Sequence, residues 1–463
     1  MKNYSFFLFL ILLLSLGCRK NDSLFKSTDA QLSFSLDTVY FDTVFTKLPG
    51  SNYPRSVTKN FIIRNPYKEN IQTTIELGNG VNSPYRINID GVAGNQFSNI
   101  IIPARDSIIG FVEVTLEANN NLNPSIVYDS IRFTTNGNVQ HVILAAYGWD
   151  AHYYKDSIFQ TDEIWNDLVK PYVIVNSILV PQNTKLNILP GVQIYSSPES
   201  FIYIDGTLEA DGDFQNKIVF QGDRLTPSFK ETPGQWGGIH LLKNSINNKI
   251  NNCIIKNSVL GVRIDSLSNN SNPKLEIKNT LIKNCSLYGI LGITGSLDME
   301  NIAISRCGSY GMIAFWGGNY SIKHSSIGSG YLGGRSQAAM VLNNIARDEN
   351  DNFVESFPMA YTITNSIIWG PLEDELLLDI DSNKLVSSNF ENCIIRTKGL
   401  VNKVNNNNNL INFDPLFEDP RNGNLKIREN SPAKSKAKQL NPPIVNDIDG
   451  NSRNQASSIG AYE

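Results

Sequence analysis

The chain has 463 residues, of which 41% are hydrophobic and 18% charged, with a formal net charge of −4. At roughly 100–200 residues per domain, this length holds two to four domains and enough apolar mass for a sizeable core. The charge balance lacks the basic field that recruits phosphates, which excludes nucleic acid as a partner, and the apolar content excludes a disordered chain.

In chain order the first element is a targeting segment. Lys2 precedes an apolar run from Phe6 to Leu16, and Gly17-Cys18 is followed by Arg19-Lys20. The run is too short to read as a membrane span. "LSLGC" at Leu14–Cys18 resembles the bacterial lipobox, in which a small residue precedes a cysteine that is lipidated before cleavage; Leu16 interrupts the small residues Ser15 and Gly17. An ordinary secretory signal with an incidental cysteine is the alternative. The lipobox resemblance implies removal of residues 1–17 and a lipidated Cys18. Several acyl chains would then hold the protein in the bacterial cell envelope, at the outer membrane or cell surface. Residues 18–30 are polar and read as a tether.

Residues 31–150 carry short runs such as "NFIIRN", "IQTTIELGN", "IIGFVEVTL" and "HVILAAYG", bounded by Asn, Gly and Pro. Alternating apolar and polar residues at this spacing predict an antiparallel, immunoglobulin-like β-sandwich. Residues 151–186 read as a connector and cap.

From residue 187 to 463 the text becomes repetitive. Asn252, Asn279, Asn301, Asn365 and Asn392 each open a short apolar strand, as in "NCIIKN", "NTLIKN" and "NIAISR". Successive spacings are 27, 22, 64 and 27 residues, the longest containing a partial copy that starts at His324. A period in the twenties with about three short strands per repeat predicts an all-β solenoid, a right-handed parallel β-helix. Turns stack ~4.8 Å apart, so Ile, Leu and Val form inward columns and Asn residues at a corner bond to one another. Gly261, Gly289 and Gly311 are expected to supply corners of positive φ.

The closing text, with "NFDPLFEDP", "SPA", "DIDGNSR" and "IGAYE", resembles the end of bacterial right-handed β-helix repeat proteins of the pectin-lyase-like fold; "NSIIWG" at Asn365–Gly370 recurs there too. The resemblance covers residues 187–463 and implies a fold and an envelope location, without implying a reaction. Cys253, Cys285, Cys307 and Cys393 fit no zinc spacing. Cys285 stacked on Cys307 reads as a column of free thiols, with a disulfide as the alternative.

A long solenoid face offers a groove for polysaccharide, but the acid pairs of polygalacturonases and the calcium-binding aspartates of pectate lyases have no copy here. The irregular stretch 328–357 predicts loops on one side. Within and beside it, His324 and Arg335 are the candidate catalytic residues of a polysaccharide lyase or hydrolase, and Tyr331 and Arg335 candidate contacts to an acidic sugar. Trp236 and Trp316, each beside a Gly-Gly pair, are candidate sugar platforms or, alternatively, aromatic plugs. "DIDGNSR" has some features of a calcium loop, but Ser458 stands where an EF-hand needs its bidentate acid. A closing turn with Arg453 on a carboxylate is expected instead, leaving no cofactor assigned. The expected function is non-enzymatic polysaccharide binding or adhesion. The alternatives are a lyase or hydrolase on an acidic polysaccharide, or a structural envelope protein with protein partners.

Overall fold

A computed structural model describes residues 23–48, 50–51, 58–118, 124–328, 335–453 and 456–463. Cys18 and Tyr331 therefore lie outside the described residues. The chain divides into two compact units, residues 1–150 and 151–463.

The first unit is a sandwich of two five-stranded sheets. One runs in the order Ser33–Phe34, Lys59–Arg64, Ser107–Val114, Tyr85–Ile89, Val92–Gly94; the other runs Thr38–Phe45, Asn138–Trp149, Ser125–Thr135, Ile71–Leu77, Gln96–Ile102. Pairing is antiparallel except between Thr38–Phe45 and Asn138–Trp149. Every second residue of Ile71–Leu77 is buried, as the period of two requires when one sheet face meets the core. Asn136 and Gly137 both take positive φ at the tip of the longest hairpin, the geometry a two-residue turn needs to match strand twist.

The second unit is a parallel β-helix: 25 strands in one continuous parallel ladder, wound so that three sheets form its sides. Sheet A includes Thr207–Asp211, Asn248–Asn251, Leu275–Lys278 and Met359–Thr364. Sheet B includes Ile218–Gly222, Cys253–Lys256, Leu281–Lys283, Ala303–Ser305, Ser326–Gly328 and Ile367–Trp369. Sheet C includes Phe201–Ile204, Gly238–Leu241, Leu260–Asp265, residues 288–293, residues 310–315, Met340–Asn343 and Leu376–Asp379. Inward side chains such as Ile239, Val262, Ile290 and Met312 stack in fully buried columns, each contributing roughly 1.5–3 kcal/mol of apolar burial.

The corner between sheets A and B is a column of Asn252, Asn279, Asn301, His324, Asn365 and Asn392, with φ between 45° and 53°. Asparagine tolerates this left-handed conformation and its amide bonds to neighbouring turns. Asn301 Nδ2 donates to Asn279 Oδ1 at 3.0 Å and Asn279 Nδ2 to Asn251 Oδ1 at 3.1 Å. The glycines do something other than expected. Gly261, Gly289 and Gly311 do not have positive φ; a Cβ on Gly289 would lie 2.5 Å from Gly311 O and 2.5 Å from Ile304 Cγ2. They are there because successive turns approach too closely for a side chain.

The segment expected to connect and cap is itself the first turn: His152–Ile158 pairs in parallel with Tyr172–Val180, and Glu163–Trp165 with Lys185–Ile188. Trp165 stacks on Tyr172 (4.6 Å, 13°) and packs against Tyr154 and Phe159, placing an aromatic plug at that end. Stretch 328–357 is likewise not all loop, since Met340–Asn343 is a strand of sheet C, followed by an outlying hairpin of Ile345–Arg347 and Phe353–Ser356.

Candidate functional site

Most candidate residues picked out in the sequence are structural. His324 is 2% exposed and occupies an asparagine place in the corner column, where its Nε2 accepts from Asn365 Nδ2 at 2.9 Å. Burial, with the charge of Arg453, pushes its pKa down to about 3, so it is a neutral internal ligand of the corner and no polymer reaches it. The Arg335 side chain is 2% exposed and donates to Glu375 Oε2 at 2.6 Å; Glu375 is fully buried and accepts also from Ala339 N and Leu372 N. That guanidinium already holds a carboxylate, and its burial keeps its remaining donors out of a sugar's reach. Trp236 is fully buried, its Nε1 donating to Lys256 O at 2.9 Å, which makes it a core plug and not a platform.

Cys253, Cys285, Cys307 and Cys393 are buried free thiols. In "DIDGNSR", Asp447 accepts from Asp449 N, Asn451 N, Asn451 Nδ2 and Glu463 N. Arg453 donates to Glu463 Oε1 at 2.8 Å and Asn301 Oδ1 at 2.9 Å, so the motif is a closing turn tied to the corner column.

Trp316 is different. It is 44% exposed, sits at φ 58° where the chain leaves sheet C for sheet A, and its ring lies 6.4 Å from that of Phe357. Its backbone N–H points at Asn343 Oδ1 (3.4 Å), and Asn343 lines a depression of about 480 Å³ on the outer side of sheet C. That volume lies in the range of small-ligand clefts.

The cleft follows from strand alternation. In residues 310–315, Met312 and Ala314 point into the helix, so Ile313 and Phe315 point out. Ile313, Val341 and Leu377 stand in register on successive strands and form the floor. Tyr310, stacked on Tyr288 (5.8 Å, 29°) and donating to Gln337 Oε1 at 2.9 Å, makes a wall with Phe315. Asn343, Asp374 and Asp379 supply the polar groups.

Both carboxylates are held in place. Asp379 accepts from Asn343 Nδ2 at 2.8 Å and Arg347 NH2 at 2.9 Å. Asp374 Oδ1 accepts from Gly399 N, Thr397 Oγ1 and Lys398 N at 2.7–2.9 Å, and these donors, the Gly399 N–H foremost, hold its carboxyl below the usual carboxylate range. Aromatic faces beside fixed acceptors suit a hydroxyl-rich ring: the rings take its apolar C–H face and the carboxylates its O–H groups. Glycosidic cleavage also needs a protonated acid opposite a carboxylate. Asp374 is held ionised, and Asp379 is committed to Arg347 and Asn343.

Sequence reasoning missed Tyr310, Phe315, Asn343, Asp374 and Asp379. Tyr310 and Phe315 were within reach of the repeat "YGMIAF", whose alternation separates inward from outward residues. Asp374 and Asp379 were not, because their place beside Phe315 depends on how stretch 328–357 is threaded.

No family model matches the chain, and no curated protein matches it. Among solved structures it is similar to a protein of unknown function from Porphyromonas gingivalis W83, with 12% identity over 28% of this chain and 59% of that one and a TM-score of 0.18. It is similar also to a family 123 glycoside hydrolase from Clostridium perfringens, at 6% identity over 32% of this chain and 38% of that one, TM-score 0.20. A third is the catalytic domain of a GH87 α-1,3-glucanase, at 12% identity over 73% of this chain and 84% of that one, TM-score 0.19. The chain spans less than two thirds of the first two, and similarities at these scores carry no argument about activity.

Proposed function

We propose that this is a lipid-anchored protein of the bacterial cell envelope whose β-helix holds a polysaccharide in the sheet C cleft without cutting its glycosidic bonds. The observation that supports the binding reading is the cleft itself: Tyr310 and Phe315 beside the fixed acceptors Asn343, Asp374 and Asp379, with Trp316 exposed next to them. The lipid anchor rests on the lipobox at Leu14–Cys18. Two carboxylates in the cleft disfavour uronates, so the reading is a neutral glycan, and the acidic sugar expected through Arg335 falls away with that residue's burial.

The test uses the chain starting after Cys18 and a panel of neutral and acidic polysaccharides, following retention on the glycan and release of new chain ends together. Retention without new ends, weakened about tenfold in Phe315→Ala and Trp316→Ala, is the expected result. New ends would make the protein a depolymerase, and absence of retention across the panel would shift the reading to protein partners.

A further inference from the structure

Four side chains on the outer side of sheet C, outside the cleft, are brought together by register alone. Tyr203, His240 and Arg263 occupy the same outward position on three successive strands, about 4.8 Å apart along the axis, and Asp265 follows Arg263 on its own strand. His240 Nε2 lies 2.7 Å from Asp265 Oδ2, and Arg263 donates through Nε to Asp265 Oδ1 at 2.9 Å and through NH2 to Oδ2 at 3.3 Å. The Tyr203 ring is 5.6 Å from that of His240. Lys274, fully buried, pins the turn after Asp265 by donating to Asp265 O, Lys243 O, Leu242 O and Ser266 Oγ.

Burial favours the protonated form of Asp265, but the hydrogen bonds from His240 and Arg263 outweigh it and hold the carboxyl below the usual range. With Nε2 turned to the Asp265 carboxylate at 2.7 Å, the tautomer that donates to Asp265 carries its lone pair on Nδ1. The His240 side chain is 13% exposed. Among the described residues, His240 Nδ1, Tyr203 Oη and Arg263 NH1 have no protein partner. The row therefore presents a base oriented by a carboxylate, flanked on either side by an unused hydrogen-bond donor. The His240 strand lies three strand spacings, about 15 Å, from the strand bearing Tyr310 and Phe315.

We propose that Tyr203, His240 and Arg263 form an esterase site that removes O-acyl groups from the polysaccharide held in the cleft, a proposal that rests on the binding reading above. Water gives a proton to His240 Nδ1 as its oxygen attacks the ester carbonyl carbon. The carbonyl π pair moves to oxygen, where Arg263 NH1 and Tyr203 Oη donate to the oxyanion. Collapse of the tetrahedral species breaks the carbon–oxygen bond to the sugar, and His240 returns the proton to the departing sugar oxygen. The products are a carboxylic acid and a free hydroxyl, and water is the only co-reactant. β-Elimination fits the row less well: a uronate dianion needs its charge neutralised, and two of the Arg263 donors are already on Asp265.

The experiment compares wild type with His240→Gln and Tyr203→Phe on two probes, acetylated xylan and p-nitrophenyl acetate, and measures retention on xylan in parallel. Wild type is expected to release acetate and nitrophenolate, His240→Gln to lose roughly 100-fold of both rates, and Tyr203→Phe about tenfold, with retention unchanged in both variants. Retention with no acetate release, or release that His240→Gln leaves intact, overturns the esterase and leaves the binding cleft standing. Release that depends on His240 without any retention keeps the esterase site and removes the cleft reading, whereas neither release nor retention removes both.

Discussion

Sheets B and C belong to one helix and are built from the same repeats, yet their outer sides end differently. Sheet B is covered by the chain itself: Phe417, Leu425, Ile427, Ile448, Ile459 and Tyr462 from the closing segment bury Ala303, Ile367 and Ile394. Its backbone is laced in as well, with Gly460 N donating to Asn365 O, Ala461 N to Ser326 Oγ, and Lys217 Nζ reaching Ile448 O. On sheet C, Leu291, Ile313 and Val341 are covered, among the described residues, by Ala338 and neighbouring rings, which leave the cleft beside Tyr310 and Phe315. A solenoid side that needs only stability is closed with apolar chain; the side left partly open carries aromatic and charged groups.

The largest effect should come from breaking the covered side. Arg453 donates to Asn301 Oδ1, Ser458 O, Gly460 O and Glu463 Oε1 from a side chain that is almost fully buried. Arg453→Ala strands those acceptors and should cost about 3–5 kcal/mol, read as a lower unfolding midpoint in urea. Glycan retention below the midpoint is expected to stay at the wild-type level, because the cleft is on the other sheet.

A pH titration sharpens the same comparison at the corner that the closing segment grips. His324 has a folded pKa of about 3 against an ordinary 6.5. With the folded value depressed, the unfolded chain takes up the proton first as pH falls. Stability is whole above pH 6.5 and is lost between there and pH 3, at up to about 1.4 kcal/mol per pH unit. His324→Asn, which restores the residue found at the other corners, should flatten that slope while leaving stability at neutral pH within about 1 kcal/mol. An unchanged slope would mean that other groups set the acid limit.

The sequence made the architecture legible because stacking forces repetition: Asn252, Asn279 and Asn301 recur in the text since each meets the next in space. The same logic, carried too far, misread His324. It stands in an asparagine place, but a lone histidine looks like chemistry when the column around it is not seen. Arg335 misled in a similar way, because Glu375 lies 40 residues further on and no local pattern announces a buried pair. The cleft was largely hidden, as its floor comes from three strands and its carboxylates from the end of one strand, Asp379, and the turn before it, Asp374, reached through connections whose lengths follow no period. His240 and Asp265 were hidden by distance alone: "GGIHL" and "GVRID" align only once the turns between them are counted as one repeat.

A smaller effect is expected where sheet C approaches its neighbours. Gly289→Ala would set a methyl against Gly311 O and Ile304 Cγ2, an overpacking worth about 1–3 kcal/mol. Because Gly311 lies on the strand that bears Ile313 and Phe315, this variant should weaken glycan retention as well as stability, unlike Arg453→Ala. Stability lost with retention intact would show that the cleft tolerates a shifted strand.

The smallest expected effect separates function from fold most cleanly. Tyr310 is half-buried on the open side, where its ring stacks on Tyr288 and its hydroxyl meets an exposed glutamine. Tyr310→Ala should therefore change stability by less than about 1 kcal/mol, yet remove one wall of the cleft and weaken glycan retention about tenfold, or about 1.4 kcal/mol. Tyr310→Phe keeps the face and should retain most of the binding, since the sugar would stack on the ring while the hydroxyl is already given to Gln337. Equal retention by wild type and Tyr310→Ala would mean that sheet C is merely uncovered surface. A loss in Tyr310→Ala that Tyr310→Phe restores would tie the open side of the helix to the ring it presents.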